Sequence, residues 1–182
     1  SSFANHGSYP LEVLEKNNFS VVFNKTGKRL KPEEIIKMAK DSDCIIAGVE
    51  PYNKYVLDSL PNLKCISRAG AGIDNIDLEL AKLKNISIRN TPDVIVTPVS
   101  ELTLSMILSL LRKLNPITND MRNGGWNKTT GTNLNNKKVG IIGAGRIGKR
   151  VAELLSCFGA KILIHDPIKD LEWSKKFLFK YV

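Results

Sequence analysis

The sequence predicts an α/β fold built on mostly parallel sheets and arranged in two lobes. Three observations carry this. Short apolar, β-branched runs alternate with amphipathic stretches of helical period, the order that a parallel sheet covered on both faces requires. A glycine cluster, VGIIGAGRIGKRV at 139–151, stands between an apolar run and a helical stripe. The texture of the chain also changes near Pro92, where short alternating elements give way to a long apolar helix. The boundary is placed there, separating residues 1–92 from 93–182.

Taken in order, FSVVF (19–23) is β-branched and aromatic and reads as a strand. PEEIIKMAK (32–40) reads as a helix, with proline and acids in its first turn and apolar residues three or four apart. DCIIAG (43–48) is a second strand, NKYVLDSL (53–60) a helix stopping before Pro61, and LKCIS (63–67) a third strand entering the turn RAGAG. Asp77 is placed to cap the helix LELAKL, and ISIRN (86–90) is a further strand. In the second half, TPVSELTLSMILSLLRKL (97–114) is a helix expected to use Thr97 as N-cap and Pro98 as its first residue. It is apolar around much of its circumference, which places it between layers or at a subunit contact. A shorter helix (116–123) and a polar loop lead to the strand beginning at Lys138.

Composition narrows the function. Hydrophobic residues make up 42% and charged residues 25%, ordinary for a soluble globular chain. No uncharged apolar run reaches the length of roughly 18 residues needed to span a membrane. The opening SSFANHGSYP lacks a basic segment followed by an apolar one, so no secretory signal is expected. The net charge of +9 comes entirely from residues 112–182, which hold 14 Lys/Arg against 5 Asp/Glu. Those cations are scattered singly or in pairs through periodic segments, which reads as a solvated surface and makes nucleic acid an unlikely partner. Cys44, Cys65 and Cys157 sit among apolar neighbours and are expected to be buried, reduced thiols of a cytoplasmic protein. With no C-x-x-C pair and only His6 and His165 as imidazoles, no metal site is expected.

The glycine cluster has a specific chemistry. Gly143 supplies a tight turn, Gly145 leaves no Cβ where a pyrophosphate approaches, and Gly148 lets the helix pack close to the strand. The N–H groups that open the helix, that of Arg146 among them, face the phosphates. The strand AKILIH then ends at Asp166, 18 residues past Gly148, near the spacing of a carboxylate that accepts from ribose hydroxyls. Asp166 also repels a 2′-phosphate, favouring NAD over NADP. The Arg146 side chain is expected to lie along the surface.

Three segments, SRAGAGIDNIDLELAKLKNISIRNTPDV, VSELTLSMILSLLRKL and LNNKKVGIIGAGRIGKRVAELLSCFGAKILIHDP, resemble the D-isomer-specific 2-hydroxyacid dehydrogenases, most closely their D-3-phosphoglycerate dehydrogenase branch. The resemblance implies two Rossmann/flavodoxin-like lobes facing each other across a cleft: a substrate-binding lobe at 1–92 and the first part of an NAD-binding lobe at 93–182. It implies oxidation of 3-phosphoglycerate to 3-phosphohydroxypyruvate, the entry to serine biosynthesis, by a cytoplasmic homodimer joined near residues 97–114. Backbone N–H groups of Ala69 and Gly70 would then receive the substrate carboxylate, Ala71 would lie beside the nicotinamide, and Arg146 and Ile147 would give backbone contacts to the pyrophosphate. Arg68 would add positive charge suited to a phosphorylated acid, or pair at the surface with Asp74 or Asp77. Sister enzymes, glyoxylate or hydroxypyruvate reductases, share these motifs, and a non-enzymatic NAD-sensing module is the remaining alternative.

The family's first strand lies before the SSF segment, and its acid–base His, the Glu that tunes it and a substrate-holding Arg lie beyond the second strand of the NAD lobe. Both lobes are therefore expected to be incomplete in this chain. His165 belongs to the adenosine side and His6 to a solvated loop, so no catalytic residue is assigned and the 182 residues alone are expected to be inactive.

Overall fold

The computed structural model describes Phe3, Ala4 and residues 7–182. His6 lies outside the described residues. The chain forms two compact units, Ser1–Pro92 and Asp93–Val182.

In the first unit the element order is α1 (Tyr9–Lys16), α2 (Pro32–Ala39), β1 (Cys44–Ala47), α3 (Lys54–Asp58), β2 (Cys65–Arg68), α4 (Leu78–Leu83) and β3 (Ser87–Asn90). The three strands form one parallel sheet in the order β1-β2-β3, with Ile45, Ile66 and Ile88 in register. Ile66 is fully buried and meets Val56, Leu57 and Leu60 from the α3 segment and Ala81 from α4 in a single core. The helices start where side-chain caps stand. Asn53 accepts from the Val56 N–H at 3.1 Å and Asp77, as expected, from the Leu80 N–H at 3.0 Å.

The second unit runs α5 (Val96–Leu111), α6 (Leu114–Arg122), β4 (Lys138–Ile142), α7 (Arg146–Cys157), β5 (Lys161–His165), α8 (Leu171–Lys176) and β6 (Lys180–Tyr181). Its sheet is also parallel, in the order β4-β5-β6, and pairs Ile141 with Ile164 and Ile164 with Tyr181. Val151, Ala152 and Leu155 of α7 pack on this sheet, and Leu104, Ile107, Leu108 and Leu111 of α5 join the same cluster.

Three expectations are corrected, and one helix of the first unit was not foreseen. FSVVF is irregular, not a strand: no neighbour pairs with it among the described residues, and Phe19 and Val22 are exposed. β-branched composition favours a strand only where a ladder partner exists. Thr97 does not cap α5. The helix is entered through a turn in which the Val96 N–H donates to the Asp93 carbonyl, Ile95 holds the cap position, and Pro98 falls in the first turn where its missing N–H costs nothing. The cysteines are free but not buried: Cys44 and Cys157 are exposed at the first residue of β1 and the last of α7, and Cys65 is half-buried. Helix α1 was not expected, and none of its residues is buried. Among the described residues, no helix is long and apolar enough to cross a membrane.

Candidate functional site

The glycine turn of the second unit is built by β4, α7 and the end of β5. β4 ends into Gly143, whose φ of 94° needs glycine and whose N–H donates to the His165 carbonyl at 2.8 Å. That bond ties the turn to the end of β5. Gly145 is the N-cap residue of α7, and no side chain caps the helix. The first N–H groups of α7, from Arg146 onward, therefore open without a capping side chain, and the helix dipole favours an anion there. A Cβ at Gly145 meets nothing within 4 Å, so the space in front of the turn is clear. A Cβ at Gly148 would stand 2.0 Å from the Gly143 carbonyl oxygen, so only glycine allows the helix to sit this close to the turn.

Asp166 faces the same turn. Its carboxylate accepts from the Ile168 N–H at 2.8 Å and the Ala144 N–H at 2.6 Å, one on each oxygen. These two N–H groups, Ile168 first, hold its carboxyl below the usual carboxylate range. Each oxygen retains a lone pair for a further donor. The Arg146 side chain points elsewhere, into an exposed ion pair with Asp93 at 2.7 Å. In front of the turn lies an open cavity of about 660 Å³ lined by Ala144, Gly145, Lys149, Asp166 and Asp170, among others. Lys149 pairs with Asp170, and this contact is the main cause of the lowered Asp170 carboxyl. Asp170 also caps α8 through the Trp173 N–H at 3.0 Å. Lys149 and Asp170 were not singled out from sequence. The only trace there is an acid placed before a helical stretch.

In the first unit, the turn 68–72 follows β2. The Ala69 N–H donates to the Ala47 carbonyl at 2.9 Å and so belongs to the β1-β2 ladder. The Gly70 N–H donates to the Thr91 hydroxyl and to the Arg68 carbonyl, both at 2.9 Å. Both N–H groups expected to form an anion nest thus have acceptors within the protein. The turn is clamped further by the Asn90 side chain, which donates to the Ala71 carbonyl at 2.7 Å, and by the Thr91 N–H on the Gly70 carbonyl. Arg68 makes no ion pair with Asp74 or Asp77. It bonds the Ala69 carbonyl through Nη1, and its Nε is buried with no acceptor among the described residues. Near it, Glu50 is buried at 6% exposure. Burial pushes the Tyr52 phenol well above its ordinary range, with Glu50 adding to the rise and Arg68 opposing it. Glu50 and Thr91 were missed because they reach the turn only through the fold. An acid inside the run IIAGVE was the available signal for Glu50. His165, at the end of β5, has its Nδ1 3.2 Å from the Val182 carbonyl oxygen.

The model of the D-isomer specific 2-hydroxyacid dehydrogenase catalytic domain matches residues 3–175. The chain is 37% identical over 170 residues to the D-3-phosphoglycerate dehydrogenase of Homo sapiens, covering 92% of this chain and 30% of that protein. It is 34% identical over 166 residues to the hydroxypyruvate reductase of Thermotoga maritima, covering 87% and 54%. Among solved structures, the NAD+-bound 3-phosphoglycerate dehydrogenase of Entamoeba histolytica superposes with a TM-score of 0.72 at 34% identity, over 88% of this chain and 49% of that one. The chain spans about half the length of these relatives or less.

Proposed function

The chain belongs to the D-isomer specific 2-hydroxyacid dehydrogenase family, and from that premise we propose that the whole protein oxidises 3-phosphoglycerate to 3-phosphohydroxypyruvate with NAD. One observation supports the cofactor half of this reading above others: the uncapped start of α7 and the Asp166 carboxylate line one open cavity. The residues fit a dinucleotide there. N–H groups of Arg146, Ile147 and Gly148 suit the pyrophosphate, the cleared space at Gly145 admits it, and the free lone pairs of Asp166 suit a ribose diol. A fixed carboxylate at that point opposes a 2′-phosphate. Bound NAD supplies the hydride acceptor for C2 of the substrate.

For the substrate half, the turn 68–72 receives the carboxylate. The Ala69 N–H stays in its ladder. The Gly70 N–H exchanges the Thr91 hydroxyl for the anion, and the Ala71 N–H is the neighbouring donor. Arg68 adds charge from beside the turn, and Ala71 faces the nicotinamide end. The proton leaving the C2 hydroxyl needs a base, which this reading places outside these 182 residues. It further takes the protein to act in the cytoplasm, as a homodimer joined through α5, in serine biosynthesis.

The test is a substrate panel on the full chain. With NAD in excess, 3-phosphoglycerate is expected to give NADH formation far above that from D-glycerate, and NADP is expected to substitute poorly. The relation to a hydroxypyruvate reductase favours a second reading. Faster reduction of hydroxypyruvate or glyoxylate than of phosphohydroxypyruvate would select it instead.

A further inference from the structure

β1 and β2 each open on a cysteine, and the parallel ladder sets Cys44 in register with Cys65. Neighbouring strands run about 4.8 Å apart and paired residues project to one face, so the two side chains leave the sheet together. Alternation puts them on the face opposite the buried Ile66. The residues just before them lock this register. Lys64 Nζ meets the Asp43 carboxylate at 2.6 Å, and the Lys64 N–H donates to the Asp43 carbonyl at 2.7 Å. The thiols themselves are in contact. Burial raises the Cys65 thiol above its ordinary value, and Cys44 adds to the rise through its charge and a side-chain hydrogen bond, while Arg89 opposes it. The Lys64 ammonium, raised first by its bond to Asp43, is raised also by the neighbouring Cys44. Both cysteines are free, Cys44 exposed and Cys65 half-buried.

We propose that Cys44 and Cys65 form an oxidisable dithiol, a modification site that takes a hydroperoxide at Cys44 and closes to a disulfide between β1 and β2. The backbone already suits closure, since a disulfide spans Cα atoms about 4.4–6.8 Å apart and the strand spacing falls in that range. The chemistry starts at an accessible sulfur with a cation beside it, because the thiolate is the nucleophile. Cys44 is that sulfur and Lys64 that cation. The Cys44 thiolate attacks one oxygen of the hydroperoxide. An S–O bond forms, the O–O bond breaks, and the alkoxide leaves as alcohol with the proton Cys44 gave up. The Cys65 sulfur then attacks the sulfenic acid. The S–S bond forms, the S–O bond breaks, and hydroxide leaves as water with the Cys65 proton. Two thiols lose two electrons and the peroxide gains them. The pair stands at the start of its strands, whereas the turn 68–72 leaves the end of β2, so closure ties the sheet without entering that turn.

The test treats the folded full chain with about a tenfold excess of hydrogen peroxide, blocks the remaining thiols and digests with trypsin without reduction. Cys44 then lies in the peptide 41–54 and Cys65 in 65–68. Most of the 65–68 peptide is expected to be linked to 41–54, about 2 Da below the sum of the two thiol peptides, and to be released by dithiothreitol. Cys157 is the internal control: it is exposed in the other unit, donates to the Glu153 carbonyl at 3.4 Å, and is expected to link to neither. Cys65→Ser is expected to stop at the sulfenic acid of Cys44 and to give at least about tenfold more adduct with a 1,3-dione than the wild type. A wild type without the linked peptide overturns the proposal. So does linkage of Cys44 or Cys65 to any other cysteine, or equal adduct in the wild type and Cys65→Ser.

Discussion

Gly145 and Gly148 stand three residues apart in one turn, yet a methyl group has opposite consequences at each. At 148 it collides with the Gly143 carbonyl at 2.0 Å, and backbone must move. Gly148→Ala is therefore expected to cost about 3 kcal/mol of stability, read by urea unfolding, because overpacking at a rigid contact is relieved only by shifting α7. At 145 the methyl enters open space and φ is −70°, so Gly145→Ala should unfold within about 0.5 kcal/mol of wild type. Its effect belongs to binding: NAD affinity is expected to drop at least tenfold, since the methyl occupies the approach of the pyrophosphate. Equal stability losses for both would refute this division of roles. Asp166 adds a pH signature. Its folded carboxyl lies below the ordinary value of 3.8, so the stability it contributes is complete above that value and is lost as pH falls through the lower folded value. Asp166→Asn should remove that share of acid sensitivity, narrowing the stability gap between pH 7 and pH 3, and should raise the use of NADP relative to NAD. These positions were legible in the sequence because glycine spacing and strand-end acids report local backbone demands. Glu50, Thr91 and the Lys149–Asp170 pair were not, because partners about 20 residues apart meet only after folding.

Helices and strands divide along the same line. β1, β2, β4 and β5 could be read directly, as each is a short run rich in apolar residues, bounded by turn residues and paired in a parallel sheet. FSVVF has the same composition and is not a strand, since a strand is completed by its neighbour. Helices α1 and α8 escaped because α1 buries none of its residues and α8 fully buries only Ser174, so neither shows a clear core-facing apolar stripe. The long helix α5 was visible, and its apolar circumference has a structural outcome. Leu104, Ile107, Leu108 and Leu111 pack against the second core. Val99, Leu102, Met106 and Leu110, spaced three and four apart, form the opposite face, with Leu102 60% and Leu110 77% exposed. An apolar face of this length is unusual on a free surface. If it joins two copies, Leu102→Glu with Leu110→Glu places carboxylates in a dry contact and should weaken the dimer at least about 100-fold. Sedimentation velocity over a range of concentrations reads this directly. A wild-type protein that sediments as a monomer throughout would remove the dimer from the proposed function.

At the scale of the molecule, two units each carry one three-stranded parallel sheet and one apolar core, and each presents a turn at the end of its strands. In the proposed function one turn receives a small acid and the other a dinucleotide. Anchoring of both, however, is not the reaction. Oxidation at C2 requires that the hydroxyl proton go to a base within hydrogen-bond reach, and such a base contributes about 100- to 10,000-fold. The sequence holds two imidazoles, His6 and His165. His165 closes β5, with its own carbonyl accepting from the Gly143 N–H and its Nδ1 3.2 Å from the Val182 carbonyl oxygen, and the proposed reading puts it on the adenosine side of the cofactor path. Asp166 is committed to two backbone N–H groups and held ionised by them. In the proposed function neither group serves C2. The polypeptide of 182 residues is thus expected to bind NAD through the α7 turn while oxidising 3-phosphoglycerate at least about 1,000-fold more slowly than the full chain. Binding is read by calorimetric titration with NAD, and turnover by NADH absorbance. Turnover matching the full chain would place the base within these residues and overturn the assignment of acid–base chemistry elsewhere. Failure to bind NAD would overturn the reading of the α7 turn itself.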